Sequence, residues 1–386
     1  MLAKAHALSP QMVAWRRDFH MHPELGFQET RTAAKIAGYL EHWGYQVRTG
    51  VGKTGVVADF GQGKPIVAIR ADMDALPIQE TNQVPYKSKN DGVMHACGHD
   101  AHMAIALGAA KILAQEKFTG TIRFLFQPAE EVEDEEGLSG APRMIEDGAI
   151  EGVDYALALH VAASIKSGEI ELDESAGAGV DTFYAKIIGK GGHGSTPQKV
   201  IDPIFISGHV ILAIHTIISR RLRPFDPAVI SIGSIHGGQV DNVIPEEVEL
   251  SGTIRYLEPK VQNTLHTEIE RAMEITKTLG GNYELKIVEG YPPMNNHPEV
   301  IALFRTVIGE MIGTDKFVEP VPDMGAEDFG FFIQDIPGAM FYLGCEIEGD
   351  PRRHHDSKFD INEDCMPVGA AIFASTALHI FSTQAA

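Results

Sequence analysis

The stretch Met94–His102, MHACGHDAH, places one cysteine and three histidines (Cys97, His95, His99, His102) within nine residues. A thiolate and an imidazole two positions apart can reach one point in space. Both bind divalent transition metals once the cysteine is deprotonated and the imidazole neutral. Gly98 between them allows the tight turn that would aim both side chains inward. A helix pattern, AHMAIALGAAKIL, follows at once. Ala101, Ile105, Gly108, Ala109 and Ile112 share one of its faces, and Asp100 stands where a cap would. Taken alone, the stretch is also compatible with a buried cysteine beside surface histidines, because free cysteine is commonly a small core residue.

The remaining chemistry lies at the ends of apolar strand patterns. PIVAIR (Pro65–Arg70) runs to Asp72 and Asp74, TIRFLFQ (Thr121–Gln127) into Glu130 and Glu131, and YALAL (Tyr155–Leu159) into His160. In open α/β sheets, ligands bind beyond the carboxyl ends of the strands. Three such ends, with Cys97 and His99 opening a helix between two of them, form a candidate metal site. Adjacent carboxylates repel, so Glu130 and Glu131 both stay charged only if a cation or hydrogen bonds compensate. One can then ligate a metal while its neighbour acts on an activated water. One of His354 and His355, in RRHHDSKFD, could complete the site, and the residue pattern does not choose between them. GKGGHG (Gly189–Gly194) matches a dinucleotide fingerprint after a strand, but Ser195, Thr196 and Pro197 follow where a helix should.

These residues need elements to hold them. The pattern predicts a helix from Ser9, a loop containing HMHPELGFQE, and a second helix from Glu29 to Trp43. A strand at Gly55–Phe60 precedes PIVAIR. Beyond Ala176 the pattern changes to strands at Val180–Gly189, Ala228–His236, Glu246–Tyr256 and Tyr283–Glu289. Helices at Asp202–Arg221 and Pro259–Leu279 complete a βαββαβ, ferredoxin-like order. A helix at Pro298–Ile312, a strand at Ala339–Leu343 and a helix at Met366–Phe381 close the chain. The fold class expected is α/β. A catalytic domain, 1–176 and 291–386, has a central mixed sheet flanked by helices and is interrupted by a lid, 177–290.

Charge narrows the partners. With 53 acidic and 32 basic residues the 386-residue chain carries a net charge of -21. Nucleic acid is excluded as a partner, since a phosphate backbone needs a basic footprint. A substrate carboxylate would have to be met by a few local cations. Three widely spaced cysteines argue against a disulfide framework and for a reducing cytoplasm. No apolar run approaching the ~20 residues of a membrane span is expected, and the first residues lack the apolar core of a secretory leader.

Together these motifs resemble the metal-dependent N-acyl-amino-acid amidohydrolases, a family that includes hippurate hydrolase, the auxin-conjugate hydrolases and aminoacylases. HMHPELGFQE, ADMDALP, MHACGHDAHMA, FQPAEE, LHV, GKGGHGSTP, DPI, NVIPEEVELSGTIR, GAEDFGFF and HHDSKFDINED occur in family order from His20 to Asp364. The resemblance implies two divalent ions per subunit (Zn, Mn, Co or Ni) held by Cys97, His99, Glu131, His160 and His355. His355 is preferred to His354 because the family's ligand histidine stands four positions before a phenylalanine, here Phe359. Glu130 aligns with the general base. His193 aligns with a lid histidine that reaches the partner subunit's active site, which implies at least a homodimer built through the lid. Asn242 and Arg255 fall on segments that resemble substrate-contacting ones. The implied reaction is hydrolysis of an N-acyl amino acid to a carboxylic acid and a free amino acid. The alternative is a dipeptidase or carboxypeptidase of the same architecture. Two departures from the family pattern are the long acidic segment VEDEEGLSG after Glu131 and the Asp356-Ser357 pair after His355.

Overall fold

The computed structural model describes residues 1–321 and 323–384 and divides into two units. The first contains Met1–Ala176, Asn295–Val321 and the chain from Phe331 onward. The second contains Gly177–Met294 and a short segment ending at Gly330. That segment joins the second unit through Gly325, whose carbonyl accepts from Ala178 N at 2.7 Å, and Met324, whose carbonyl accepts from Arg255 Nη1 at 2.7 Å. Nothing in the local sequence pattern signals it.

The first unit is built on a mixed sheet. Its strands are β1 (Gln46–Val51), β2 (Gly55–Gln62), β3 (Ile66–Asp72), β4 (Gly120–Gln127), β5 (Tyr155–Lys166), β6 (Ile170–Glu171), β7 (Phe317–Val318) and β8 (Gly338–Glu346). They lie in the order β1-β2-β4-β3-β5-β8-β6-β7. The central pairs β4/β3, β3/β5 and β5/β8 are parallel. β4 is buried at every position, as a strand covered on both faces must be. β1 is polar and mostly exposed at the sheet edge, which is why its sequence carries no strand signal.

Helices cover this sheet: α1 (Leu2–Met21), α2 (Thr30–His42), α3 (His99–Leu113), α4 (Gly140–Glu146), α5 (Pro298–Ile312) and α6 (Met366–Gln384). α1 begins well before the Ser9 expected. α3 is buried all round apart from Lys111, not along one face. At Gly108 an added Cβ would lie 2.5 Å from Met12 Sδ of α1 and 3.2 Å from Ala370 Cβ of α6, so three helices meet there in close contact. Contrary to the expectation of no such run, two helices are long and apolar enough to cross a membrane by length and composition alone, Pro203–Arg221 and the Glu363–Gln384 stretch that contains α6; α6 has no Asp, Glu, Lys or Arg. Its Ala370, Phe373, Ala374, Ala377 and Ile380 are buried in the core.

Asp100 does not cap α3. Gly98 holds the cap position, at φ 101°, with no side-chain cap. The Asp100 carboxylate instead takes Arg16 Nε of α1 at 2.7 Å and His20 Nδ1 at 2.7 Å. Arg16 is fully buried and also reaches Asp360 Oδ1 at 2.9 Å. A tertiary ion pair therefore displaces the local cap.

The second unit has a four-stranded antiparallel sheet in the order Ala228–His236, Glu247–Tyr256, Gly179–Ile188, Asn282–Glu289. With helices Pro203–Arg221 and Pro259–Met273, its main elements run β-α-β-β-α-β. Phe183, Ile206, Val210, Ile214, Leu265 and Ile269 fill its own core. Asp202 Oδ1 caps the first helix at Ile204 N, 2.9 Å, and Phe205 N, 3.2 Å. GKGGHG contains the two-residue strand Gly192–His193 and is followed by a 3-10 turn, Pro197–Lys199, before any α-helix. The helix N-terminus that a pyrophosphate needs is missing from that motif.

Removing one partner of a buried ion pair leaves an uncompensated charge. Arg16→Met is therefore expected to cost about 3–5 kcal/mol in urea unfolding. Arg17, half-exposed and pairing with Glu363 at 2.6 Å, should cost under ~1 kcal/mol when changed to alanine.

Candidate metal centre

The centre begins with a gap. β3 pairs with β5 only at Val67↔Tyr155, Ala68↔Ala156 and Ile69↔Leu157, while β5 continues along β8 beyond His160. His160 thus stands within a strand, not at its end as the pattern YALAL-His suggests. The sequence signal stops early because β5 keeps its partner on one side only. The N-terminus of α3 fills the gap. Gly98 is required there twice over: its φ is positive, and a Cβ would lie 2.4 Å from Val161 Cγ2.

Buried carboxylates then orient the imidazoles. Asp74 accepts from His99 Nδ1 through its carbonyl, 2.9 Å, and its Oδ1, 3.2 Å. That leaves His99 Nε2 buried without a hydrogen-bond partner among the described residues. His160 Nδ1 donates to the Val161 carbonyl at 2.7 Å, which turns its Nε2 to Cys97 Sγ, 3.4 Å away. His355 Nε2 lies 3.0 Å from Glu131 Oε1.

Two groups of donor atoms share Cys97. One is Cys97, His99 and His160, the other Cys97, Glu131 and His355, with the atoms of each group within 4.8 Å of one another. His99, Glu130 and Glu131 form a third such group.

Two other histidines are ruled out by their bonds. His102 Nδ1 donates to Asp72 Oδ1 at 2.6 Å and its Nε2 accepts from Val161 N at 2.9 Å. His354 Nδ1 meets the Cys97 carbonyl at 3.2 Å and its Nε2 accepts from Ala163 N at 3.2 Å. Neither has a lone pair left for a metal. Burial and the neighbouring His102 pull His354 down to about 4, so it stays neutral. His95 belongs to none of the groups and is held neutral by burial, its pKa about 4.

The electrostatics fit a cation. Burial opposes charge on His99, yet Asp72, Asp74 and Glu131 outweigh it and raise its pKa to about 10. Burial, then Glu131 and Glu130, push the Cys97 thiol well up. The cluster draws a proton onto an imidazole and keeps one on a thiol, both of which a divalent cation would displace. The orphaned His99 Nε2 and the soft S, N and O donor set suit a transition metal. These residues could hold one or more divalent ions.

Glu130 and Glu131 reach the cluster from a constrained turn. Ala129 has φ 45°, a left-handed conformation that costs a non-glycine residue about 1–3 kcal/mol. Glu131 N donates to Asp74 Oδ2 at 3.0 Å. The acidic segment beyond folds on Asp134, which takes Arg143 Nε at 2.8 Å, Lys53 Nζ at 2.5 Å and the Glu136 amide at 2.9 Å.

His193, Asn242 and Arg255 lie in the second unit. His193 Nδ1 accepts from Ser195 N at 3.1 Å and faces Ser195 Oγ at 2.9 Å. Its proton is therefore on Nε2, in an exposed ring. The Asn242 carbonyl accepts from Gly194 N at 2.9 Å, beside His193. Arg255 donates to the Met324 carbonyl at 2.7 Å. The orienting role of Asp74 was not read from the sequence. Its place two residues past Asp72, beyond a buried strand, was the available signal.

A mixed α/β sheet with cysteine, histidine and glutamate donors converging beside its strand ends defines a metallohydrolase-type centre. The sequence pattern of peptidase family M20/M25/M40 matches residues 68–379. The chain is 42% identical over 373 residues to thermostable carboxypeptidase 2 of Saccharolobus solfataricus, covering 94% of this chain and 93% of that one. It is 39% identical over 399 residues to IAA-amino acid hydrolase ILR1-like 2 of Arabidopsis thaliana, covering 98% and 88%. The crystal structure of the Bacillus subtilis YXEP protein, a dinuclear metal binding peptidase from the M20 family, superposes with a TM-score of 0.85 at 32% identity, covering 98% and 99%. The chain belongs to peptidase family M20/M25/M40 and is a metal-dependent amidohydrolase.

Partners that orient a ligand histidine typically matter 10–100-fold in metal affinity. Asp74→Ala should weaken metal binding by about that factor in competition with a chelator. Cys97→Ala and His99→Ala should lose bound metal outright by elemental analysis. Full occupancy in the latter two would make the cysteine and histidine merely structural.

Proposed function

We propose that the protein hydrolyses the amide bond of N-acyl amino acids, using two divalent ions held by Cys97, His99, Glu131, His160 and His355. The observation that carries the two-ion reading is the sharing of Cys97 between two donor triads. Zn, Mn, Co and Ni all suit this donor set. Bound there, the ions supply Lewis acidity and lower the pKa of a coordinated water.

The chain's own residues do the rest. Glu130, buried beside His99 and Glu131, takes the proton of the attacking water and returns it to the departing amine. The Nε2–H of His193 donates to the oxyanion that develops on the acyl oxygen. Arg255 and Asn242 hold the substrate α-carboxylate, Arg255 through donors other than the one given to Met324. The second unit acts as a ferredoxin-like lid, and His193 serves the active site of a partner subunit. Exposed Phe205 and Leu212 on the helix Pro203–Arg221 support a homodimer formed through that unit. The similarity to IAA-amino acid hydrolase ILR1-like 2 supports the N-acyl substrate class.

The similarity to thermostable carboxypeptidase 2 favours a second reading, peptide hydrolysis on the same architecture. A panel of N-acetyl, N-benzoyl and indole-acyl amino acids, run beside free dipeptides and blocked peptides with each added metal, separates the two. Turnover of the N-acyl compounds is expected. Turnover confined to substrates with a free α-amine, or to peptides, would replace the first reading with the second.

Glu130→Gln should keep its metals and lose about 10²–10⁴-fold in kcat, the usual worth of a general base. Mixed under subunit exchange with inactive His193→Ala protein, it should regain part of the activity. Exchange without recovery would mean that each chain supplies its own His193.

A further inference from the structure

We propose that Glu29 is a positioning residue for this reaction: its buried carboxylate holds Ala129 in the left-handed turn that presents Glu130 and Glu131 to the metal centre. The proposal rests on the roles given above to those two glutamates.

Glu29 stands at the N-cap of α2, where an acidic side chain ordinarily accepts from its own helix. It makes no such cap. The side chain is fully buried and reaches across to Ala129 N, which donates to Oε1 at 2.8 Å, and to Thr54 Oγ1, which donates to Oε2 at 2.5 Å. Burying a carboxylate is costly. Burial, and then Asp74, push the Glu29 pKa up to about 7. The helix does not use this group, so its unfavourable position has to be explained by what it holds.

What it holds is strained. Alanine does not favour φ 45°. Three hydrogen bonds keep the turn in place. Ala129 N goes to Glu29, the Ala129 carbonyl accepts from Gly140 N at 2.9 Å, and Glu131 N goes to Asp74. Gly26 brings the Glu29 loop against the turn so closely that a Cβ there would lie 3.1 Å from Ala129 Cβ. The Ala129 amide fixes the peptide that precedes the strained φ, and the other two bonds lie after it. If it is released, residue 129 can relax into ordinary conformations, which rotates the chain leading into both carboxylates.

Four proteins test this at saturating metal: wild type, Glu29→Ala, Glu29→Gln and Glu29→Ala with Ala129→Gly. Glu29→Ala should lower kcat by about 10–100-fold with KM little changed. Glu29→Gln should recover most of it, because the amide oxygen still accepts from Ala129 N and the amide NH2 can donate to Thr54 Oγ1. Ala129→Gly added to Glu29→Ala should regain part of the loss, since glycine holds a positive φ without strain. A purely structural role predicts a lower melting temperature in Glu29→Ala, unchanged kcat in the folded protein, and no gain from the glycine. Glu29→Ala within about twofold of wild type, or Glu29→Gln as impaired as Glu29→Ala, overturns the proposal. If Glu29→Ala does not fold, Glu29→Met keeps the side-chain volume and takes its place in every comparison. Failure of the underlying reaction assignment shows differently, as a wild type inactive across the substrate panel. In that case the absorption spectrum of the Co-loaded proteins replaces kcat. Glu29→Ala should alter the spectrum and Glu29→Gln should not, and identical spectra overturn the proposal.

Discussion

Strands β3 and β5 separate after Ile69 and Leu157, and the centre depends on how that separation is filled. A strand that loses one neighbour presents backbone groups that still need partners. The Val161 amide finds His102 Nε2, and His102 is held by Asp72 from the other side of the gap. An imidazole and a carboxylate thus bridge the two strands where the hydrogen-bond ladder stops. With the gap closed at its base, the start of α3 can enter above it, and only a glycine at position 98 clears Val161. Cys97 and His99 are delivered on either side of that glycine.

The second constraint is charge. Asp72, Asp74, Glu130 and Glu131 gather around His99, the first three of them buried. Arg70 pairs with Asp72 at 2.7 Å, but the other acids gather on His99. The raised pKa of His99 is the visible result. A site so arranged gains by binding a cation and by losing the protons that compete with it. The same concentration of acid explains the elaborate hydrogen bonding of the 127–131 turn. Two carboxylates that repel each other keep fixed directions only if the backbone between them is held.

The sequence shows which residue types converge but not which ring nitrogens are occupied. Cys97, His99, Glu130, Glu131, His160 and His355 could be picked out because each sits next to a strong apolar pattern or within a dense motif. The choice between His354 and His355 depends on contacts with Ala163 and Cys97, far away in the chain. Asp100 looks like a cap because capping is a local rule, and it fails here because Arg16 approaches from another helix. β1 is missed because an exposed edge strand need not alternate. The strands and helices of the second unit were legible to within a few residues, since a one-sided sheet under two helices imposes clear periodicity on each element.

The interrupted chain also affects the order of assembly. β5 pairs in parallel with β8, and the whole of Gly177–Met294 lies between them in sequence. During synthesis β5 is finished long before β8 exists. One edge of its apolar run, YALALHVAA, stays open while the intervening unit, which has its own core, is made. The second unit can therefore fold first. The sheet that anchors the candidate metal centre is completed only when residue 338 and those after it arrive, so a nascent chain passes through a stage with an unpaired apolar strand edge, the kind of surface that chaperones cover and aggregation exploits.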